Sequence, residues 1–102
     1  MLSVTFYPGG IKIEGHALFS PKGEDIVCAA ISGIVFGGIN WFEQKNIKVV
    51  SDQENDFFLC ELQNSDLQNL VAMQVIQTQI QAIAKLYPKH VIILGSSQKI
   101  NL

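Results

Sequence analysis

The fold of this chain is decided by one segment, GHALFSPKGEDIVCAAIS, which runs from Gly15 to Ser32. The segment places a histidine at the end of a predicted strand and a cysteine at the start of a predicted apolar helix. Between them lies a loop, Leu18 to Glu24, in which Gly23 is a candidate hinge. This order predicts a strand-to-helix transition that brings the histidine and the cysteine toward each other. The rest of the chain can be interpreted as the support for that geometry.

Two alternating segments precede this transition. Leu2 to Tyr7 and Ile11 to Glu14 alternate between apolar and polar residues, and Pro8-Gly9-Gly10 separates them. This pattern is typical of an antiparallel hairpin. The second strand would deliver His16 just past its end, where Gly15 permits close approach of the backbone.

The helix that follows has a clear start signal. Asp25 is a good N-cap, so Cys28 would be the third helical residue, with its sulfur beside the unpaired amides of the first turn. The helix dipole at that position favours a thiolate. We predict that the helix continues to Phe42 or Gln44, with both faces largely buried. The apolar run from Ile26 to Phe42 is short for the ~20 residues that a bilayer requires, which favours a core helix over a membrane span.

The second half of the chain predicts further strands and another long helix. Segments 47–51 and 56–62 are separated by a polar turn and predict either a second hairpin or one strand with an extended lead-in. The continuous apolar run from Val91 to Leu94 predicts a strand that is buried on both faces. Residues from Gly95 onward are expected to fray, so we assign 1–95 to one domain and 96–102 to a C-terminal tail.

The second helix is predicted to open with a capping box at Ser65 and to end before Pro88. One face carries an apolar stripe, whereas the opposite face is rich in glutamine. That polar face has two interpretations, exposure to solvent or contact with a second subunit. The glutamines concerned are Gln68, Gln74, Gln77, Gln79 and Gln81.

These elements define an α+β domain with the order β-β-α-(β)-β-α-β. We expect a mixed or antiparallel sheet of four to five strands packed with two long helices. A chain of 102 residues is long enough to bury its own core as a single domain.

Charge and cysteine content narrow the functional classes. The formal net charge is −2, and every basic residue is a lysine, so the guanidinium groups that usually contact nucleic acid are missing. The two cysteines are too few for a disulfide framework, and no leader pattern opens the chain. These features fit a protein of the reducing cytosol best. We expect it to make no direct contact with nucleic acid or membrane.

Cys28 and His16 have two interpretations from residue type and position alone. Free cysteine often serves only as a small buried hydrophobic residue. A cysteine in the first turn of a helix, with a histidine across one short loop, can instead be an activated thiol.

The segments Gly15-His16-Ala17 and Asp25-Ile26-Val27-Cys28-Ala29-Ala30-Ile31-Ser32 resemble the signature of the ribosomal-processing cysteine protease (Prp) family. The resemblance implies a cytoplasmic endopeptidase that removes an N-terminal extension from large-subunit ribosomal protein twenty-seven. It implies Cys28 as nucleophile and His16 as general acid and base, in a homodimer. The alternative is a non-enzymatic ribosome-assembly or peptide-binding module with the same fold.

Four further residues could either take part in a reactive site or serve the structure alone. Asp25 either orients His16 or only caps the helix, and we favour the cap. Ser32 lies one turn after Cys28 and is interpreted as a supporting residue. Cys60 is interpreted as structural and His90 as a surface residue.

No pattern for a metal, a redox pair or a nucleotide is present, so we expect no metal and no cofactor. The family's substrate implies an apolar groove beside Cys28. Phe19, Trp41 and Phe42 are either candidates to line this groove or members of the core.

Overall fold

A computed structural model of the chain describes residues 1–16, 20 and 25–95. The predicted α+β class and order of elements are confirmed. Of the predicted loop from 18 to 24 only Ser20 is described, and the predicted tail, 96–102, lies outside the described residues. The elements are β1 (Leu2–Tyr7), β2 (Gly10–Glu14), α1 (Ile26–Ile39), a short 3-10 turn (Gln44–Asn46), β3 (Ile47–Asp52), β4 (Phe57–Leu62), α2 (Leu67–Leu86) and β5 (Val91–Gly95).

The five strands form one mixed sheet with the order β3-β4-β2-β1-β5. The first predicted hairpin is present, β3 and β4 form the second hairpin rather than one strand with a lead-in, and β2 also pairs antiparallel with β4. β5 joins the opposite edge parallel to β1. This order places the end of β2 beside the turn between β3 and β4, which becomes important for the site.

One face of the sheet packs against both helices to form the core. Val4, Ile11 and Cys60 come from three neighbouring strands and are fully buried. From the helical layer, α1 contributes Ile31 and α2 contributes Ile80 to the same cluster. A single sheet covered on one face explains why the chain can bury a core with only two helices.

The prediction that the last strand is buried on both faces is wrong. Val91 is buried, but Ile92 and Leu94 are 41% and 46% exposed. β5 is an edge strand, and its outer side chains lie on the face of the sheet that the helices do not cover. A continuous apolar run does not distinguish a central strand from such an edge strand.

The predictions for the end and the faces of α1 are also wrong. The helix ends at Ile39 with Asn40 as its C-cap, before the predicted Phe42. Its buried residues form one line, so that only one side of the helix faces the core. These buried residues are Val27, Ile31 and Val35.

Close packing between the helices depends on Gly38 in the last turn of α1. A Cβ atom at Gly38 would lie only 2.6 Å from Cγ1 of Ile76 on α2. The glycine therefore lets the two helices approach each other at this point.

α2 begins one residue later than the predicted capping box. Asp66, rather than Ser65, is the N-cap, and its carboxylate accepts a hydrogen bond from the amide of Asn69. The predicted glutamine face is mostly exposed, but the side-chain amide of Gln77 donates to the carbonyls of Tyr7 and Gly10, at 3.1 Å each. In the described part of the chain, no helix is long and apolar enough to cross a membrane.

Candidate active site

Cys28 is presented by the first turn of α1, as the sequence predicts. Asp25 is the N-cap, and its Oδ1 accepts hydrogen bonds from the amides of Val27 at 2.9 Å and Cys28 at 3.0 Å. The Asp25 carbonyl accepts the first helical bond, from Ala29. The capping role predicted for Asp25 is therefore confirmed, and the carboxylate is buried while it performs this role.

His16 is presented by the end of β2. Gly15, the residue before it, has φ of +85°, a conformation that side chains other than glycine rarely adopt. A Cβ atom at Gly15 would also lie 2.7 Å from the carbonyl oxygen of Met1. Glycine at this position thus allows β2 to end in the conformation that leads to His16.

The imidazole of His16 has a carboxylate partner that the sequence did not reveal. Its Nε2 lies 2.8 Å from Oδ2 of Asp56, at the end of the turn between β3 and β4. Both side chains are partly exposed, His16 by 44% and Asp56 by 35%. The pair therefore lies at the surface of the site and is accessible to solvent.

The turn that carries Asp56 is organised by another aspartate. Asp52 accepts hydrogen bonds from the amides of Glu54 and Asn55, and its second oxygen accepts one from the Asn55 side chain. These bonds lower the pKa of Asp52 below its usual value of 3.8, and the bond from the Asn55 side chain has the largest effect. Asp56 follows with φ of +50°, a left-handed conformation that aspartate tolerates better than most residues.

Cys28, His16 and Asp56 all line one cleft of about 640 Å³. Ser32 lies on the same wall as Cys28, one helical turn further along α1, and Asp25 also reaches this cleft. The structure thus brings together all four residues that the sequence predicted for the site and adds Asp56 to them.

The cleft has a largely aromatic and aliphatic wall beside Cys28. Phe36 from α1 and Phe58 from β4 contact each other edge to face, with ring centroids 5.3 Å apart, and Phe57 and Ile13 extend this surface. An apolar groove was expected, but other residues form it. Among the described lining residues there is neither Trp41 nor Phe42.

For Trp41 and Phe42, groove and core were the two alternatives, and neither residue lines the groove. Phe42 is buried in the core, and Trp41 is 58% exposed and packs edge to face against Phe42. Phe19, the third candidate, lies outside the described residues.

Neither Cys60 nor His90 is among the described residues that line this cleft. Burial in the core raises the pKa of the Cys60 thiol to about 11, although a hydrogen bond with the Ile11 backbone opposes the shift. Cys60 is thus a neutral thiol at physiological pH, in agreement with its structural interpretation. The backbone of His90 links the end of α2 to β1, since its carbonyl accepts a hydrogen bond from the amide of Leu2 and its amide donates to the carbonyl of Tyr87.

No group of three or more histidine, cysteine or carboxylate side chains that could hold a metal ion occurs within residues 1–16, 20 and 25–95. The reactive groups assembled in the cleft are instead a thiol, an imidazole and carboxylates. A thiol at a helix N-terminus and an imidazole that line one apolar-walled cleft are the groups that a cysteine-type peptidase uses.

Sequence comparison places the chain more narrowly. A family model described as Cysteine protease Prp matches residues 1–92. The Ribosomal processing cysteine protease Prp of Mycoplasma genitalium is 41% identical over 93 residues, which cover 91% of this chain and 94% of that protein. The protein of the same name from Mycoplasma pneumoniae is 36% identical over 91 residues, or 89% of this chain and 91% of its own length. The chain therefore belongs to the cysteine protease Prp family, and the predicted resemblance is confirmed.

Solved structures agree with the fold. The ribosomal processing protease Prp from S. aureus, in complex with a covalently linked product peptide, has a TM-score of 0.86 at 20% identity and covers 94% of this chain and 100% of its own. Its complex with a substrate peptide has a TM-score of 0.80 at 19% identity, with the same coverage. At these identities the likeness establishes the shared architecture.

Proposed function

We propose that this chain is a processing endopeptidase that removes the N-terminal extension of large-subunit ribosomal protein twenty-seven, with Cys28 as nucleophile and His16 as general acid and base. The observation that carries the proposal is that Cys28 and His16 line the same apolar-walled cleft. The names of the curated relatives, which describe ribosomal processing, support the choice of a ribosomal protein as substrate.

The proposed reaction has two steps. The Cys28 thiolate attacks the scissile carbonyl carbon, the peptide C–N bond breaks, and the imidazolium of His16 gives its proton to the leaving amine. Water then attacks the resulting thioester and gives a proton to His16, and the C–S bond breaks. This step releases the new carboxyl terminus and restores the thiolate and imidazolium.

The first turn of α1 limits which amides can stabilise the oxyanion. The amides of residues 26 to 29 were the expected donors, but those of Val27, Cys28 and Ala29 donate to Asp25. Ile26 is the remaining candidate, because its amide donates to no acceptor among the described residues. An amide already held by the cap would have to break that bond before it could serve the oxyanion.

The groove supports a substrate with large apolar side chains near the scissile bond. Phe36, Phe57 and Phe58 offer ring faces and edges against which such side chains can pack. The family resemblance implies an extension that ends in hydrophobic residues, which fits this wall. Ser32, exposed on the same wall, is proposed as a support for Cys28 or the peptide rather than a reacting group.

We further propose that the enzyme is a cytoplasmic homodimer, as the family resemblance implies. The glutamine face of α2 is the candidate subunit contact, because most of it is exposed and it carries no charge. Sedimentation of the purified chain would test this part of the proposal independently of catalysis.

The test of the function is cleavage of the precursor of the ribosomal protein from the same organism, followed by intact mass. We expect one cut that removes the N-terminal extension, and no cut by Cys28→Ala or His16→Ala. Cys60→Ala is the matched control, because it also removes a thiol but from the core, and it should still cleave at temperatures where it is folded.

Two results would contradict the proposal. Undiminished cleavage by Cys28→Ala would remove Cys28 as nucleophile. Binding of the precursor without any cleavage by the wild type would favour the peptide-binding module.

A further inference from the structure

We propose that Asp56 is a positioning residue that holds the imidazole of His16 in the orientation and tautomer that the reaction requires. The inference rests on the proposed roles of His16 and Cys28. Its central observation is the 2.8 Å contact between Asp56 Oδ2 and His16 Nε2, inside the cleft that also contains Cys28.

Asp56 fixes the histidine segment through two adjacent contacts. Its backbone carbonyl accepts a hydrogen bond from the amide of Gly15 at 3.0 Å, while its carboxylate contacts the side chain of the next residue, His16. The register between β2 and β4 pairs Glu14 with Phe57, so Asp56 is carried to this place by the sheet itself. The position of Asp56 is therefore determined by strand pairing.

The chemistry of this contact assigns separate tasks to the two ring nitrogens. A carboxylate accepts a hydrogen bond from an N–H group, so Asp56 holds the proton on Nε2. In the neutral ring Nδ1 then carries the lone pair, and it is the nitrogen that exchanges a proton during the reaction. When the ring becomes cationic during the reaction, Asp56 Oδ2 still accepts the hydrogen bond from Nε2, so Nδ1 keeps its orientation toward the thiol and the leaving amine.

The other two carboxylates among the described lining residues, Asp25 and Asp52, accept hydrogen bonds from backbone amides. Asp25 holds the amides of Val27 and Cys28, and Asp52 holds those of its own turn. Of the three, Asp56 is the carboxylate that the structure places in contact with the imidazole.

Stability alone does not account for this pair. An ion pair between side chains as exposed as these contributes little to folding. Replacement of the carboxylate should therefore change the behaviour of the site much more than the melting temperature of the chain. That difference provides the test.

The experiment compares Asp56→Asn and Asp56→Ala with Glu54→Gln in the full chain. Asparagine tolerates the left-handed backbone at position 56, and Glu54 provides a matched control, since it is exposed, bears the same charge and belongs to the same turn without lining the cleft. Two readouts are used: kcat and KM for a peptide that spans the cleavage site of the precursor, and the rate at which iodoacetamide alkylates Cys28.

For Asp56→Asn we expect kcat to fall by about tenfold or more, because the imidazole of His16 would no longer be held in place for proton transfer. KM should change by less than about twofold, because the groove that binds the peptide is unchanged. Cys28 alkylation near neutral pH should slow as well, and the melting temperature should change by only a few degrees. Added formate should restore part of the activity of Asp56→Ala, because the vacated position is open to solvent. Glu54→Gln should match the wild type.

The inference is overturned if Asp56→Asn equals the wild type in both kcat and alkylation rate, or if Glu54→Gln loses as much as Asp56→Asn. If the wild type fails to cut the peptide, the proposed function fails, and the alkylation rates still decide the role of Asp56. Slower alkylation of Cys28 in Asp56→Asn supports that role, and an unchanged rate contradicts it.

Discussion

The amide of Gly15 donates to the carbonyl of Asp56 at 3.0 Å, and this bond joins the end of β2 to the turn between β3 and β4. The two residues are 41 positions apart in sequence, yet each is directly linked to the placement of His16. Gly15 precedes the histidine, and Asp56 contacts its ring. The geometry of the proposed general base therefore depends on sheet order as well as on the local sequence.

Gly15→Ala should disturb this arrangement. Alanine is strained at φ of +85°, and its Cβ would lie 2.7 Å from a backbone oxygen, that of Met1. We expect a loss of about 1–3 kcal/mol in the free energy of unfolding, measured with urea, together with reduced cleavage at temperatures where the variant is folded. Gly33→Ala is the control, since a Cβ at Gly33 would meet no atom within 4 Å. Wild-type stability for Gly15→Ala would contradict the account of this position.

Replacement of two adjacent glycines of α1 by alanine should have opposite effects on the stability of the chain. Gly38→Ala would place a Cβ against Ile76 and should cost about 1–3 kcal/mol through overpacking between the helices. Gly37→Ala meets open space and should stabilise the helix by about 0.5–1 kcal/mol. Thermal unfolding of the two variants side by side checks the helix contact, and equal effects would argue against it.

The cap of α1 should depend on an oxygen at position 25 more than on a charge. Asp25→Asn retains an acceptor for the amides of Val27 and Cys28, so it should keep most of the stability and most of the cleavage. Asp25→Ala removes that acceptor and should cost about 1 kcal/mol in unfolding free energy. Loss of cleavage in Asp25→Asn with unchanged stability would instead assign Asp25 a role in the chemistry.

Acid should weaken the turn that carries Asp56. The pKa of Asp52 is lowered in the folded state by hydrogen bonds from Asn55, so its contribution to stability is present above the usual value of 3.8 and is lost as the pH falls through the lowered value. The difference in stability between the wild type and Asp52→Asn should therefore narrow as the pH is lowered into that range. Unfolding curves measured from neutral to acidic pH check this, and a constant difference would contradict it.

The sequence predicted those features that depend on local signals. The first hairpin, the cap at Asp25 and the position of Cys28 in the first helical turn follow from alternation and capping patterns over a few residues. His16 and Cys28 could be proposed as a reactive pair because one short segment contains both, and the resemblance of that segment to the family signature favoured this interpretation over a structural one.

The features that the sequence missed depend on contacts between distant elements. Asp56 appeared only as the start of a strand, since the pairing of β2 with β4 cannot be inferred from either strand alone. The exposed face of β5 depends on which face of the sheet the helices cover. The apolar pattern continues to Phe42 and so predicted a longer helix. The helix instead ends at Ile39, and Phe42 is buried in the core.

The central claim is that a histidine at the end of β2 activates the thiol at the start of α1. Alkylation of the native chain by iodoacetamide across pH, followed by peptide mapping, tests it most directly, with Cys60 as an internal control. The account predicts that Cys28 reacts with a midpoint well below the value of about 8.5 for a free thiol, and that His16→Ala loses this reactivity. Cys60, whose pKa is raised to about 11 by burial, should remain unmodified. A Cys28 midpoint near 8.5 that His16→Ala does not change would contradict the account.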